Sequence, residues 1–282
     1  MVPADVVDLV FSFLELDFAS LEQCSVAHPY LADLAERYLY ANVTLRPSSS
    51  NFQPPDVDSS PQAGFVLYPP QFASRLLDRP YNARHIRRLC IIISMFFPFR
   101  DSAEVSPILP QISNLCSITL ESTQRGAITW NTLSADFRAA FMETLRLPSL
   151  KEVGIHGIQT FPLSMFNDCR SVGKVSLQEI GRLESEPYAP HPQLEVLQLH
   201  GGSGSLKEIV HWVTGRNLCS LDFGWLDADH RFTLLAQLLQ ACSKTLTTLT
   251  LDIGARCKSF LLVCDLLGLK RINDSWDNVP QA

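Results

Sequence analysis

Seven segments of this chain share one spacing, apolar-x-x-apolar-x-apolar, and that repetition constrains its fold more than any other feature. The copies are Ile86/Leu89/Ile91, Leu115/Ile118/Leu120, Leu150/Val153/Ile155, Val172/Val175/Leu177, Leu194/Leu197/Leu199, Leu218/Leu221/Phe223 and Leu246/Leu249/Leu251, with a partial copy at Leu269 and Ile272. Successive copies begin 22 to 35 residues apart, a period at which one supersecondary unit recurs and stacks on its neighbours. The last two apolar positions of each copy are one residue apart, so on a short strand they point to the same face. The first covers the turn before the strand. Between copies the sequence has helical character over 131–147, 206–214, 229–244 and 257–267. Leu234, Leu235, Leu238, Leu239 and Cys242, for instance, make one stripe. Strand, turn and helix in this order predict an α/β chain with a parallel sheet, outer helices and right-handed crossovers, wound as a solenoid over 72–282.

The first 45 residues have a different texture. Val6, Val7, Val10, Phe13 and Leu14 recur at helical spacing and predict one apolar face. Asp17 is placed to cap a second short helix carrying Phe18, Leu21 and Val26, and Pro29 to open a third. Three short helices cannot build a substantial core alone, so their apolar faces need the rest of the chain or a partner. Residues 46–71, with PSSSNFQPPDVDSSPQ at their centre, are rich in Pro and Ser and read as a loop or linker.

Composition narrows the functional classes. Of 282 residues, 46% are hydrophobic and only 18% charged, with a net charge of −6. Non-specific binding to nucleic acid needs a basic footprint, which this balance lacks. So lightly charged a surface is expected to be covered in part by a partner. The eight cysteines include no C-x-x-C pair, and Asp5 and Asp8 stand where a signal peptide would be positive. The apolar run from Cys90 to Phe99 is too short to span a membrane. A soluble chain of the cytoplasm and/or nucleus is expected, with no metal or other cofactor. The seven histidines are scattered, and no G-x-S-x-G, H-E-x-x-H or P-loop pattern accompanies them. No catalytic residue is expected. The run His200-Gly-Gly-Ser-Gly reads as a strand-to-helix connection.

Two stretches resemble known families. VPADVVDLVFSFLELDFASLEQCSVAHPYL resembles an F-box, and RYLYANVTL looks like the junction that follows it in many fungal F-box proteins. The repeat behind it has leucine-rich-repeat-like spacing, mostly within the usual range of about 20–29 residues. The resemblance implies a three-helix F-box over 1–45 that docks on the Skp-type adaptor of a cullin–RING (SCF-type) ubiquitin ligase. Carried over position by position, Pro3, Val6, Val7, Val10, Leu14, Phe18, Leu21 and Val26 would bind the adaptor. Pro29 breaks the family's Ser-Lys-x-Trp run, and the repeats lack the Asn that closes each strand motif. Apolar packing is then expected to join the units in place of an Asn ladder. The alternative is a leucine-rich-repeat scaffold whose F-box no longer engages a ligase.

A client protein would meet side chains that lie between the inward positions of the strands. Glu121, Glu152, His156, Lys174, Gln198, His200 and Asp222 satisfy that rule, and Trp225, like Trp212, is a candidate aromatic anchor.

Overall fold

The computed structural model describes residues 4–14, 17–47, 65–123, 128–180, 193–201, 206–213, 217–224 and 229–252. Pro3, Trp225, the helical stretch 257–267 and the partial repeat at Leu269 and Ile272 lie outside them. All seven full copies of the repeat form strands. They are β3 (Arg88–Ile93), β4 (Ser117–Ser122), β6 (Glu152–His156), β8 (Lys174–Gln178), β9 (Val196–His200), β10 (Ser220–Gly224) and β11 (Thr248–Asp252). Two further strands, β1 (Asn42–Leu45) and β2 (Phe65–Leu67), precede them. Together these nine make one sheet in the order β2-β1-β3-β4-β6-β8-β9-β10-β11, and every pairing is parallel. A small separate pair, β5 (Ile128–Thr129) and β7 (Ile158–Gln159), extends the β4 and β6 units. The chain is therefore α/β with a parallel sheet.

Strand β1 is an eighth full copy of the repeat. Tyr40, Val43 and Leu45 are buried in register with the copies that follow, Val43 beside Leu89 and Leu45 beside Ile91. The helical module thus ends inside the sheet. Residues 46–71, expected as a loop, contain β2 and the first turn of α4 (Pro69–Asp78). Phe65-Val66-Leu67 is too short to show a period, and its pairing with β1 makes it a strand.

Successive units are joined by a backbone device. At each of seven junctions one carbonyl accepts two consecutive N–H groups of the next unit, at 2.7–3.1 Å. The acceptors are Ala41, Arg87, Cys116, Lys151, Gly173, Glu195 and Cys219, each one residue past the first apolar position of its copy. Main-chain oxygens thus do part of what an Asn ladder would do, beside the apolar packing that joins the units. At the far ends of β6, β8 and β9 the chain leaves through left-handed backbone, at Gly157 (φ 68°), Glu179 (φ 51°) and Gly201 (φ 65°). Glycine takes that conformation without strain, whereas Glu179 adopts it at some cost. The Glu179 N–H donates to the His200 carbonyl at 2.7 Å, which holds it there.

Alternation divides the sheet into two faces. In β3, Leu89, Ile91 and Ile93 are buried while Arg88 is exposed and Cys90 and Ile92 are half-buried, and β4 alternates likewise. The buried face meets the connecting segments, including α5 (Pro98–Val105), α6 (Ala135–Leu145), α7 (Leu206–Val213) and α8 (Asp229–Cys242). Ser134 caps α6 by accepting the Phe137 N–H at 3.2 Å. Rings then run through the core from one unit to the next: Phe137, Phe141, Trp130, Phe161, Phe166 and Trp212, with neighbouring centroids 5.2–5.8 Å apart.

The N-terminal helices are α1 (Ala4–Phe13), α2 (Phe18–Ala27) and α3 (Pro29–Leu39). Asp17 caps α2, accepting the Ser20 N–H at 3.1 Å, and the Ser20 hydroxyl together with this bond lowers its pKa. The His28 ring accepts the Tyr30 N–H at 3.1 Å at the start of α3. Phe11, Leu21, Ala35 and Leu39 share one core with the sheet, and Phe18 packs on Phe65. Glu36, buried on α3, is held by Arg79 and by the Tyr81 hydroxyl at 2.9 Å.

Phe141 is fully buried between Trp130 and Phe137. Phe141→Ala is expected to destabilise the chain by about 3–5 kcal/mol, lost apolar transfer plus the cavity left behind. Urea denaturation of the two proteins at equal concentration measures it.

Candidate functional site

All-parallel sheets usually have both faces covered. Here the face opposite the connecting segments stays half-exposed and polar along the strands, and this open face holds the expected client-binding residues. Strand registers set Glu121 beside His156, His156 beside Gln178, and Gln178 beside His200. Glu152 and Lys174 are likewise neighbours, as are Gln198 and Asp222. Seven residues scattered over about a hundred positions are thus gathered on one surface.

Their contacts are specific. Lys174 Nζ lies 2.5 Å from Glu152 Oε1. His156 Nε2 is 3.3 Å from the Ser176 hydroxyl. His200 Nε2 meets Asp222 Oδ2 at 3.2 Å, and the Gln198 amide donates to the same oxygen at 3.3 Å. Gly224 makes the His200 position possible, because a Cβ there would sit 2.4 Å from the ring Nδ1. Gly154 does the same between Thr119 and His156, where a Cβ would come within 2.9 Å of the Thr119 hydroxyl. Neither glycine has a signal in the sequence that separates it from a turn residue, so reading the chain missed both.

Burial shapes the electrostatics. It pushes the His156 pKa down to about 4, with a further contribution from His200, so the ring is neutral near pH 7. Burial also raises the Glu121 carboxyl, against the opposing charge of Arg46, and pushes the Cys90 thiol up to about 12. A thiol so raised is a poor nucleophile. Ser176 touches His156 whereas the carboxylate Asp222 touches His200, so these groups do not join into one hydroxyl–imidazole–carboxylate relay. The arrangement is a hydrogen-bonding surface of fixed geometry. Among the described residues no group of three or more His, Cys, Asp or Glu could hold a metal ion. No described helix is long and apolar enough to cross a membrane. Trp212 is fully buried against Phe166 and faces the core instead of a partner.

The residues expected to bind an adaptor divide into two sets. Val7, Leu14 and Phe18 pack against the core, and Leu21 is fully buried within it. Val6, Val10 and Val26 are exposed, Val26 to 84%. The single apolar face expected of α1 is therefore two stripes: Val7, Phe11 and Leu14 inward, and Val6, Val10 and Phe13 outward. Leu9 and Tyr30 also stand in solvent, and Phe13 is 82% exposed. Leu9, Phe13 and Tyr30 are absent from the expected set. Phe13 is on the apolar face that helical spacing predicts, and the same spacing from Val6 would have added Leu9.

No protein-family model, curated protein or solved structure matches this chain.

The depressed His156 pKa makes stability depend on pH. Between pH about 6.5, where an unfolded His takes up its proton, and pH 4, the folded ring stays neutral. Stability is full above this window and falls as pH drops through it, by up to about 3 kcal/mol from this residue. Urea denaturation at pH 7 and pH 5 measures the loss, and His156→Gln is expected to remove its share of the difference.

Proposed function

We propose that this chain is the client-binding subunit of a cullin–RING ubiquitin ligase. Its N-terminal helices would dock on the Skp-type adaptor and its open face would receive the client. One observation carries the reading. The F-box-like helices bury one apolar stripe in the chain's own core and leave a second, Val6, Val10 and Phe13 with Leu9, in solvent. A set of large apolar side chains held outward on a short helix marks a protein-interaction site. Val26 on α2 and Tyr30 on α3 are further exposed apolar side chains of the same module.

The division of labour follows from the continuous core. Because α1–α3 share one buried core with β1 and β2, the adaptor face and the open face belong to one packed body. A receptor of this kind contributes positioning, raising the effective concentration of a client lysine near activated ubiquitin. The chemistry of transfer would belong to other subunits. A leucine-rich-repeat scaffold without a ligase is the alternative, and adaptor binding separates the two.

Val10→Glu and Phe13→Glu place a charge on the outward stripe without touching the core. Each is expected to reduce co-purification with the Skp-type adaptor at least about tenfold, since interface anchors carry most of the binding energy. The melting temperature should be unchanged. Wild-type affinity in both variants would favour the scaffold.

A further inference from the structure

Hydrogen bonding on the open face is uneven. Towards β10 the face satisfies itself through Lys174–Glu152, His156–Ser176 and the Gln198–Asp222–His200 cluster. Towards β1 it does not. Arg46 follows β1, its N–H donating to the Leu67 carbonyl at 2.9 Å. The Leu45–Ile91 register carries Arg46 level with Ile92. Its Nε is buried without a hydrogen-bond partner among the described residues. Ile92 is in turn level with Glu121 on β4. Glu121 is half-buried, and no described residue gives it a hydrogen bond or an ion pair within contact distance. Burial raises its carboxyl, and the charge of Arg46 opposes that rise.

Two opposite charges therefore flank one isoleucine, each without a close partner among the described residues. Two strand spacings, about 9.6 Å, separate their backbone positions. Leaving such groups unmatched is costly where they are partly desolvated, and a ligand that supplies the complements removes that cost. In a polyproline-II segment, residues i and i+3 lie on one side and are about 9.3 Å apart. Their aliphatic stems can cover the apolar side chain between the charges.

We infer that Arg46, Ile92 and Glu121 form the subsite that selects the ligand of the open face. Its ligand is an extended peptide segment with an acidic and a basic side chain three residues apart. The acid pairs with Arg46, the base with Glu121, and their stems lie over Ile92. The inference rests on the proposed role of this face as the client-binding surface, and gives that client a recognisable chemistry.

The test uses the full chain and three fluorescent, acetylated and amidated 12-residue peptides. They carry Glu-Pro-Pro-Lys, Glu-Pro-Pro-Glu or Lys-Pro-Pro-Lys between Gly/Ser flanks, and binding is read by anisotropy at low salt. Wild type is expected to prefer the mixed peptide by about fivefold or more over either like-charged one. Glu121→Lys should transfer the preference to the doubly acidic peptide and Arg46→Glu to the doubly basic one. Misfolding lowers all binding and cannot produce such transfers. The milder Arg46→Gln and Glu121→Gln variants should lose the mixed-peptide preference while keeping the wild-type melting temperature. A wild type that does not discriminate, or folded charge-reversed variants that bind all three peptides equally, would overturn the inference. Adaptor co-purification on the same samples separates the two levels. If it persists without peptide discrimination, only this inference fails; if wild type lacks it, the ligase reading fails whichever peptide binds.

Discussion

The doubled acceptance at each junction, one carbonyl taking two N–H groups of the next unit, is the contact on which the rest of this structure depends. It recurs seven times from Ala41 to Cys219 and uses only the main chain, so any residue type can occupy the accepting position. Cysteine, lysine, glycine, glutamate, arginine and alanine all do. Because it fixes where each strand begins against the last, it aligns Val43, Leu89, Ile118, Val153, Val175, Leu197 and Leu221 in one buried row, which half-buried Leu249 ends. A slip of one residue would turn each strand's apolar set into solvent.

The same register builds the open face. Side chains that alternate with the buried row are brought into lines across the strands, with hydrogen bonds following where neighbours match. His200 leans across Gly224 to Asp222, and His156 meets Ser176. Where neighbours do not match, as around Ile92, charge is left for something else to complete. Opposite this polar face the ring series from Phe137 to Trp212 couples the units through their core. The inner stripe of α1 joins that core as well, which makes the proposed adaptor and client surfaces parts of one body.

Much of this was legible in the chain. The strand positions followed from the repeat because apolar burial at period two leaves a direct mark on residue type. The candidate client-binding residues on the described strands followed from the same rule, as the complement of the buried set. Other elements left weaker marks. Tyr40/Val43/Leu45 obeys the repeat but opens with an aromatic residue and abuts a helix, and Phe65–Leu67 is too short to establish a period. In α1 seven of ten positions are apolar and fall into two stripes, so spacing alone could not say which stripe faces inward. Arg46, beyond the end of a strand that the repeat did not reveal, carried no signal at all.

The sequence by itself determined a repeating α/β chain, the face of each strand that is buried, and a distinct helical segment at its start. Those are local properties, written in the spacing of apolar side chains. Only the tertiary structure decided that the helices share the sheet's core, that the outward stripe of α1 is Val6, Val10 and Phe13, and that glycines open space for two histidines. It also placed Arg46 and Glu121 on either side of Ile92. Each of these depends on residues from separate units meeting across strands, and a contact of that kind has no spacing along the chain to announce it.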